Sequence, residues 1–361
     1  MDGLYPLFTA IIACILNLIL TSIIIFLAHK KKWYDTVEAR KIHQGEIPRL
    51  GGIGIFWTSF VPIVGLSLIA FLNPDQKTET AYIPLLGGML VVHLLSLVDD
   101  FKRLSAKLRL AVQVLVSLAL CWFGLRFHDI WIPGIGAWTL PVWLSWGLTV
   151  FWIVGLINAI NMIDGMDGLC GGISIIAACA YGILYLIRGE PLPALFSFAL
   201  VGALAGFLFY NFPPAKIFMG DSGSTYLGFM LAILPLISRD PGRFDLQLYL
   251  GVTPVAIPIF DTFAAIWRRL KARKPVMSPD DWHLHHKLLK LGLGGRSILA
   301  IVYVCSMGLG LVAISSESIS RILFFILCLV SWAVLMALFF VLHFVKEWKI
   351  KIPKRDLTEI E

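Results

Sequence analysis

Long uninterrupted apolar blocks decide what this chain can fold into. Eleven of them, at 7–28, 50–72, 82–98, 107–126, 140–157, 168–187, 192–210, 222–238, 247–267, 297–315 and 319–345, divide its 361 residues. Blocks of roughly 17–25 apolar residues match the helix length that crosses ~30 Å of hydrocarbon. Only 15% of the residues are charged and 58% are hydrophobic, whereas a soluble domain is about a quarter charged. Lipid gives the backbone no hydrogen-bond partners, so spanning elements are helices or closed barrels, and no ten-residue alternation suggests a barrel. The sequence predicts an all-α polytopic integral membrane protein of about eleven transmembrane helices, a single domain over 1–361 with a basic tail at 346–361. The first block is too long for a signal-peptide core and reads as a retained span.

Charge orients the chain. Connections after odd-numbered blocks, with the tail, hold twenty-four of the thirty Lys and Arg, and the other side holds six. Positive residues stay in the cytoplasm. This predicts an outer N-terminus, a cytoplasmic C-terminus and cytoplasmic loops at 29–49, 99–107, 158–168, 211–222 and 268–296. The net charge of +7 is accounted for by those loops and is no sign of nucleic-acid binding. The outer connections, such as HDIWIPGIGAWTLP, read as interfacial turns. The six Cys are scattered without a CxxC pair, which argues against disulfides and a zinc framework.

The polar motifs all fall on the predicted cytoplasmic face. In NAINMIDGMDGL (158–169), Asn158, Asn161, Asp164 and Asp167 are three apart and would share a helical face. Their oxygen-only inventory suits Mg²⁺; the plain alternative is a polar turn between two spans. Asp99 and Asp100 close the third block, either as a carboxylate pair for a divalent cation or proton handling, or as a solvated helix end. Lys107 and Arg109 open the next block, to meet phosphate or to snorkel to headgroups. In 211–224, NFPPAKIFMGDSGS, Asp221 or Ser222 is a candidate N-cap and the Gly/Ser loop a candidate anion site. His283, His285 and His286 lack accompanying Cys, so phosphate or sugar contacts suit them better than zinc. Asp261 is balanced between an ion pair with Arg268 and a site role. Together these groups suggest phosphoryl transfer, which needs positioning and charge neutralisation.

Six motifs in order then resemble one family, the polyprenyl-phosphate N-acetylhexosamine-1-phosphate transferases: HQGEIPRLGG (43–52), VDD (98–100) with Lys107, NAINMIDGMDGL, NFPPAKIFMGDSGS, PIFD (258–261) and PDDWHLHH (279–286). The resemblance implies transfer of a sugar 1-phosphate from a UDP-sugar to undecaprenyl phosphate, with release of UMP and a requirement for Mg²⁺, for which Mn²⁺ substitutes. It implies Asp221 and Asn161 as metal ligands. Asp167 and Asn211 would lie near the uracil, with Phe218 as a stacking partner and Asp164 beside the nucleotide. Asp99, Asp100, Lys107 and Arg109 would lie where lipid phosphate and diphosphate meet, and His283, His285 and His286 at the diphosphate or sugar. A phosphomonoester has its second pKa near ~6, so the acceptor scarcely needs a general base.

The eleven blocks and basic tail are similar to the GlcNAc-1-phosphate branch, which starts O-antigen, common antigen or teichoic acid linkage synthesis at the bacterial cytoplasmic membrane. Asp281 stands where that branch usually has Arg, which leaves the donor sugar open, with UDP-MurNAc-pentapeptide or another UDP-HexNAc as alternatives. A homodimer is also left open. The rival class is a proton-coupled transporter built on Asp164 and Asp261, with its acids at mid-membrane. A CDP-alcohol phosphotransferase is disfavoured because DGMDG is not followed by Ala-Arg.

Overall fold

The computed structural model describes residues 5–34, 47–72, 82–102, 104–238, 246–275 and 282–344. Residues 43–46, 279–281 (with Asp281), Arg103 and the tail 346–361 lie outside them. Every apolar block is helical. The helices are α1 (Tyr5–Lys31), α2 (Gly51–Leu72), α3 (Tyr82–Lys102), α4 (Ala106–Trp122), α5 (Val142–Ile163), α6 (Leu169–Ile187), α7 (Pro191–Asn211), α8 (Gly220–Ile233), α9 (Gln247–Val252), α10 (Ala256–Lys271), α11 (Leu284–Lys290), α12 (Gly295–Ser315) and α13 (Arg321–Phe344). Among the described residues, nine spans are long and apolar enough to cross a membrane, with α9 and α10 joined in one of them through a 3₁₀ turn. The remaining two of the eleven expected blocks are shorter helices, α4 at 17 residues and α8 at 14. The protein is therefore an all-α, multi-pass membrane protein.

Two expectations are corrected. Residues 158–163 are not loop, because α5 runs on through both Asn residues and ends at Ile163. The connection after α4 is not a simple turn but a β-hairpin, β1 (Asp129–Ile132) paired antiparallel with β2 (Gly136–Thr139). Its positive-φ glycines, Gly134 and Gly136, allow the tight reversal that aligns the strands. Tyr249 donates to the carbonyl of Trp131 at 2.7 Å and so ties the hairpin to α9.

The layering follows exposure. Helices α1 and α13 show broad apolar faces, with Phe26 66% and Val334 64% exposed, as expected of surfaces in contact with lipid. At the centre, every residue of α8 except Asp221 is buried. Lipid tails are as apolar as the helix surfaces, so membrane helices associate through close packing and a few polar contacts. Gly202 and Gly206 of α7 supply the packing. A Cβ on Gly202 would lie 2.0 Å from the Ala10 carbonyl oxygen, and one on Gly206 2.7 Å from that of Cys14. Asn17 supplies polar contacts: it donates to Thr58 at 3.1 Å and accepts from Thr21 at 2.9 Å, joining α1 to α2. A buried Arg188–Glu317 ion pair at 2.9 Å ties the end of α6 to the end of α12.

These contacts make the α1–α7 seam intolerant of added volume. Gly202→Ala should cost about 1–3 kcal/mol, the usual penalty of overpacking. Gly65→Ala, with nothing within 4 Å of the added Cβ, should be neutral or slightly stabilising. Thermal unfolding of the two variants in the same detergent measures this, and equal midpoints would refute the tight seam.

Candidate functional site

The first turn of α8 is where the motifs converge. Helix N-termini leave backbone N–H groups without intrahelical partners, and here a carboxylate from another helix supplies them. Asp100 of α3 accepts from the N–H of Asp221 at 2.7 Å and of Ser222 at 3.0 Å. Negative charge at this end also suits the helix dipole. Gly220, at φ +76°, makes the approach possible. A Cβ there would sit 2.7 Å from the Arg49 carbonyl oxygen and 2.9 Å from an Asp100 carboxylate oxygen. The preceding segment is stitched to the start of α2: Phe218 donates to the carbonyl of Pro48, Gly51 to that of Phe218, and Gly52 to that of Met219.

Asp99 has different partners from its neighbour. It is buried and accepts from the Arg109 guanidinium at 2.6 Å. The adjacent acids are thus divided, Asp99 toward α4 and Asp100 toward α8.

The exposed side of this turn is the Asp221 carboxylate. Its Oδ1 accepts from Arg49 Nη2 at 2.9 Å and from Asn161 Nδ2 at 3.1 Å, and its Oδ2 lies 3.8 Å from Arg109. Asn161 also donates to the Ser224 hydroxyl at 2.9 Å. Packing sets this register: a Cβ on Gly228, farther along α8, would lie 2.6 Å from Cα of Ile157 on α5. The two helices touch there, one turn or two below their hydrogen-bonded side chains.

The expected shared face of four polar residues is broken in two places. Asn158 turns to α4, donating to Gln113 at 3.0 Å as well as to its own helix at Val154. Helix α5 stops at Ile163, so Asp167 lies beyond the turn. Asp167 accepts from the N–H of Ala215 at 3.0 Å. Asn211 accepts from the N–H of Gly168 at 3.0 Å and donates to the Ile217 carbonyl at 2.8 Å. Both side chains are buried and brace the 164–169 turn against the 212–219 loop. Asp164 caps the end of α5. Its carboxyl is pushed up to about 7 by burial, with the charges of Asp221, Asp100 and Asp167 adding to the rise and Arg49 opposing it.

The histidines come in from the other side. His283 pairs with Asp261, Nδ1 to Oδ2 at 2.7 Å. His285 is buried, and burial above all, then the neighbouring imidazoles, lowers it to about 3. Its ring covers Gly165, where a Cβ would come within 2.7 Å of it. His286 lies against His285, with ring centroids 4.1 Å apart and the planes tilted by 40°. Lys107 is exposed on the first turn of α4, and Phe218 is half-buried. No hydrogen bond or ion pair among the described residues draws Lys107 into the cluster around Asp221.

Arg49, which the sequence reading left without a role, and Ser224, named there only as part of the Gly/Ser loop, are joined to this cluster by hydrogen bonds. Their signals were faint: an Arg before a Gly pair in PRLGG, and a Ser one helical turn after the motif's Gly220.

Residues 82–239 match the family described as glycosyl transferase family 4. Over 329 residues the chain is 33% identical to a probable undecaprenyl-phosphate N-acetylglucosaminyl 1-phosphate transferase of Bacillus subtilis (strain 168), covering 91% of this chain and 90% of the relative. It is 34% identical over 304 residues to a decaprenyl-phosphate N-acetylglucosaminephosphotransferase of Mycobacterium tuberculosis (strain H37Rv), covering 77% and 74%. It is 28% identical over 306 residues to the undecaprenyl-phosphate alpha-N-acetylglucosaminyl 1-phosphate transferase of Escherichia coli (strain K12), covering 82% and 81%. With the acids and arginines gathered at one end of a membrane bundle, the chain belongs to the polyprenyl-phosphate N-acetylhexosamine-1-phosphate transferase family of sugar-1-phosphate transferases.

Proposed function

We propose that this protein transfers N-acetylglucosamine 1-phosphate from UDP-N-acetylglucosamine to undecaprenyl phosphate, releasing UMP at the cytoplasmic face of a bacterial cytoplasmic membrane. The relatives' names support the donor sugar and a polyprenyl acceptor, and the distribution of Lys and Arg supports the side. The observation that carries the reading is the setting of Asp221. It is the one unburied residue of a buried helix, ringed by Arg49, Arg109 and Asn161. Such a group meets a ligand at the bundle's end while the helices behind it hold it still.

The reaction joins an oxygen of the lipid phosphate to the sugar-proximal phosphorus and breaks that phosphorus's bond to the bridging oxygen, which leaves with UMP. The acceptor is already largely dianionic at neutral pH, so Asp99 and Asp100 are not needed as bases. Asp99 orients Arg109, and Asp100 holds the first turn of α8. Arg49 and Arg109 neutralise the oxygens that gain charge as the bond breaks. Phosphoryl transfer depends mainly on positioning and charge neutralisation of this kind.

The residues fit Mg²⁺. Among the described residues no group of three or more His, Cys, Asp or Glu is arranged to hold a metal. Mg²⁺ takes one or two carboxylates and completes its shell with water and substrate phosphate. Asp221, with Asp164 beside it and the Asn161 amide turned to present its oxygen, would hold it. The ion would supply charge neutralisation at the diphosphate.

Purified protein in nanodiscs with undecaprenyl phosphate, Mg²⁺ and a panel of UDP-sugars should release UMP with UDP-N-acetylglucosamine. No UMP with any sugar would sink the enzyme reading, and preference for UDP-MurNAc-pentapeptide would move the donor. Asp221→Asn should lower kcat by about 10²–10³-fold; near wild-type turnover at limiting Mg²⁺ would remove Asp221 from the metal.

The Asp164 carboxyl also gives a stability test. Its folded pKa of about 7 lies above the ordinary ~3.9 of an unfolded Asp. The folded state therefore holds the extra proton between those values, and stability falls as pH rises through the window. In EDTA, Asp164→Asn should raise the thermal midpoint most at pH 8, less at pH 5 and little below pH 4, with Mg²⁺ narrowing the gap at pH 8. Equal midpoints at pH 8 in EDTA would show that burial and the neighbouring carboxylates do not raise Asp164 as described.

A further inference from the structure

Asp261 lies in α10 and is 1% exposed. A carboxylate so placed is costly unless it is paired and hydrogen-bonded. Both oxygens are engaged by one short segment: Oδ2 faces Nδ1 of His283 at 2.7 Å, and Oδ1 accepts from the N–H of Leu284 at 3.0 Å. His283 is the N-cap residue of α11. Asp261 therefore grips the start of α11 at two points.

That grip sets the place of the next histidine. The rings of His283 and His285 are parallel to within 4° with centroids 6.2 Å apart. His285 in turn lies on Gly165, between Asp164 and Asp167. One line of contacts thus runs from Asp261 through the histidines to the turn at the end of α5.

A purely structural pair would account for the Leu284 bond, but it leaves the imidazoles unexplained. Neither nitrogen of the buried His285 has a hydrogen-bond partner among the described residues. Nε2 of His283 also has none among the described residues. Buried polar atoms are nearly always partnered, so the two unengaged nitrogens of His285, lying against the Asp164 turn, point to a ligand beside the histidine segment. The nitrogen that carries a ring's proton is set by the bond its other nitrogen makes, and carboxylates behind functional histidines commonly do this.

We propose that Asp261 is a positioning residue for the donor substrate: it keeps a proton on Nδ1 of His283 and presents Nε2 to the UDP-sugar. This rests on the sugar-1-phosphate transferase reading. Asp261 makes no contact with the reacting groups and acts through His283. The sequence alone left it balanced between a site role and a pair with Arg268; the structure gives its carboxylate to the histidine segment.

The test uses the full chain in nanodiscs with ¹⁵N-labelled histidine, the His283 signals being identified by their loss in His283→Gln. Wild type should show Nδ1 of His283 protonated. Asp261→Asn keeps an oxygen for Leu284 but turns an NH₂ toward the ring, and should move the proton to Nε2. It should also lower kcat/KM for the UDP-sugar by about 10–100-fold, with KM for the lipid phosphate unchanged. Placed on top of His283→Gln, it should cost nothing more. A proton on Nε2 in wild type, or a full additional loss in the double variant, would overturn the proposal. Should Asp261→Asn fail to fold, the wild-type spectrum alone decides. Should wild type release no UMP with any sugar, the transferase reading falls, while the spectrum still decides whether Asp261 sets the His283 proton.

Discussion

The bond from the Asp100 carboxylate to the first turn of α8 is the contact on which the rest of the site depends. Helix α8 is short and buried, and its N-terminal N–H groups would otherwise face the bundle interior without water. An unpaired buried donor costs roughly 1–3 kcal/mol, and Asp100 meets two of them at once. The capping carboxylate comes from another helix rather than from α8 itself. The cap therefore also fixes the end of α3 relative to α8. Asp99, the next residue back, is placed within reach of Arg109, and Asp221, the residue being capped, faces Arg49 and Asn161. One interaction aligns four elements around a single carboxylate.

Close packing supplies the precision that lipid cannot. With no hydrophobic drive between helices in a bilayer, their spacing is set by which side chains are absent. A Cβ on Gly52 would be 2.3 Å from the backbone nitrogen of Gly223, so the starts of α2 and α8 touch backbone to backbone. Gly228 does the same against Ile157. These two contacts bracket α8 and carry Arg49 and Asn161 to hydrogen-bonding distance of Asp221. A methyl group at either glycine would push apart the groups on which the site relies, although neither glycine touches it.

The helical membrane architecture was legible because hydrocarbon thickness writes itself directly into block length. All eleven blocks recur as helices, and the motifs that quoted acids and histidines do come together at one end. What sequence could not show was the partner of each side chain, because partners are distant along the chain. Asp100 meets Asp221, 121 residues later, and Arg49 meets it from 172 residues before. Hence Asp99 and Asp100 looked like a pair and proved to be two separate devices. Helix ends were equally obscure. Polar residues signalled a loop at 158, yet Gln113 gives Asn158 a partner within the bundle, so α5 continues for another turn and a half. The hairpin at 129–139 was hidden for a similar reason, since its strands are four residues each and their anchors lie in α9 and α13.

The balance of charge at the site bears on what class of protein this is. A proton-coupled transporter gains by letting its acids load and unload as the bundle rocks, so they need freedom to change partners. Here Asp99, Asp100, Asp167 and Asp261 are each held by backbone N–H groups or by a cation. Their bonds join different helices or the loops between them, and exchanging them would unpick the bundle's end. Only Asp164 and the outer side of Asp221 keep their carboxylates uncommitted to the backbone, and these two repel each other. A fixed ring of acids with two arginines around the Asp221 carboxylate is a poor gate but a good template. It can bind two anionic phosphates if a cation joins them, and it can hold that geometry while one bond to phosphorus replaces another.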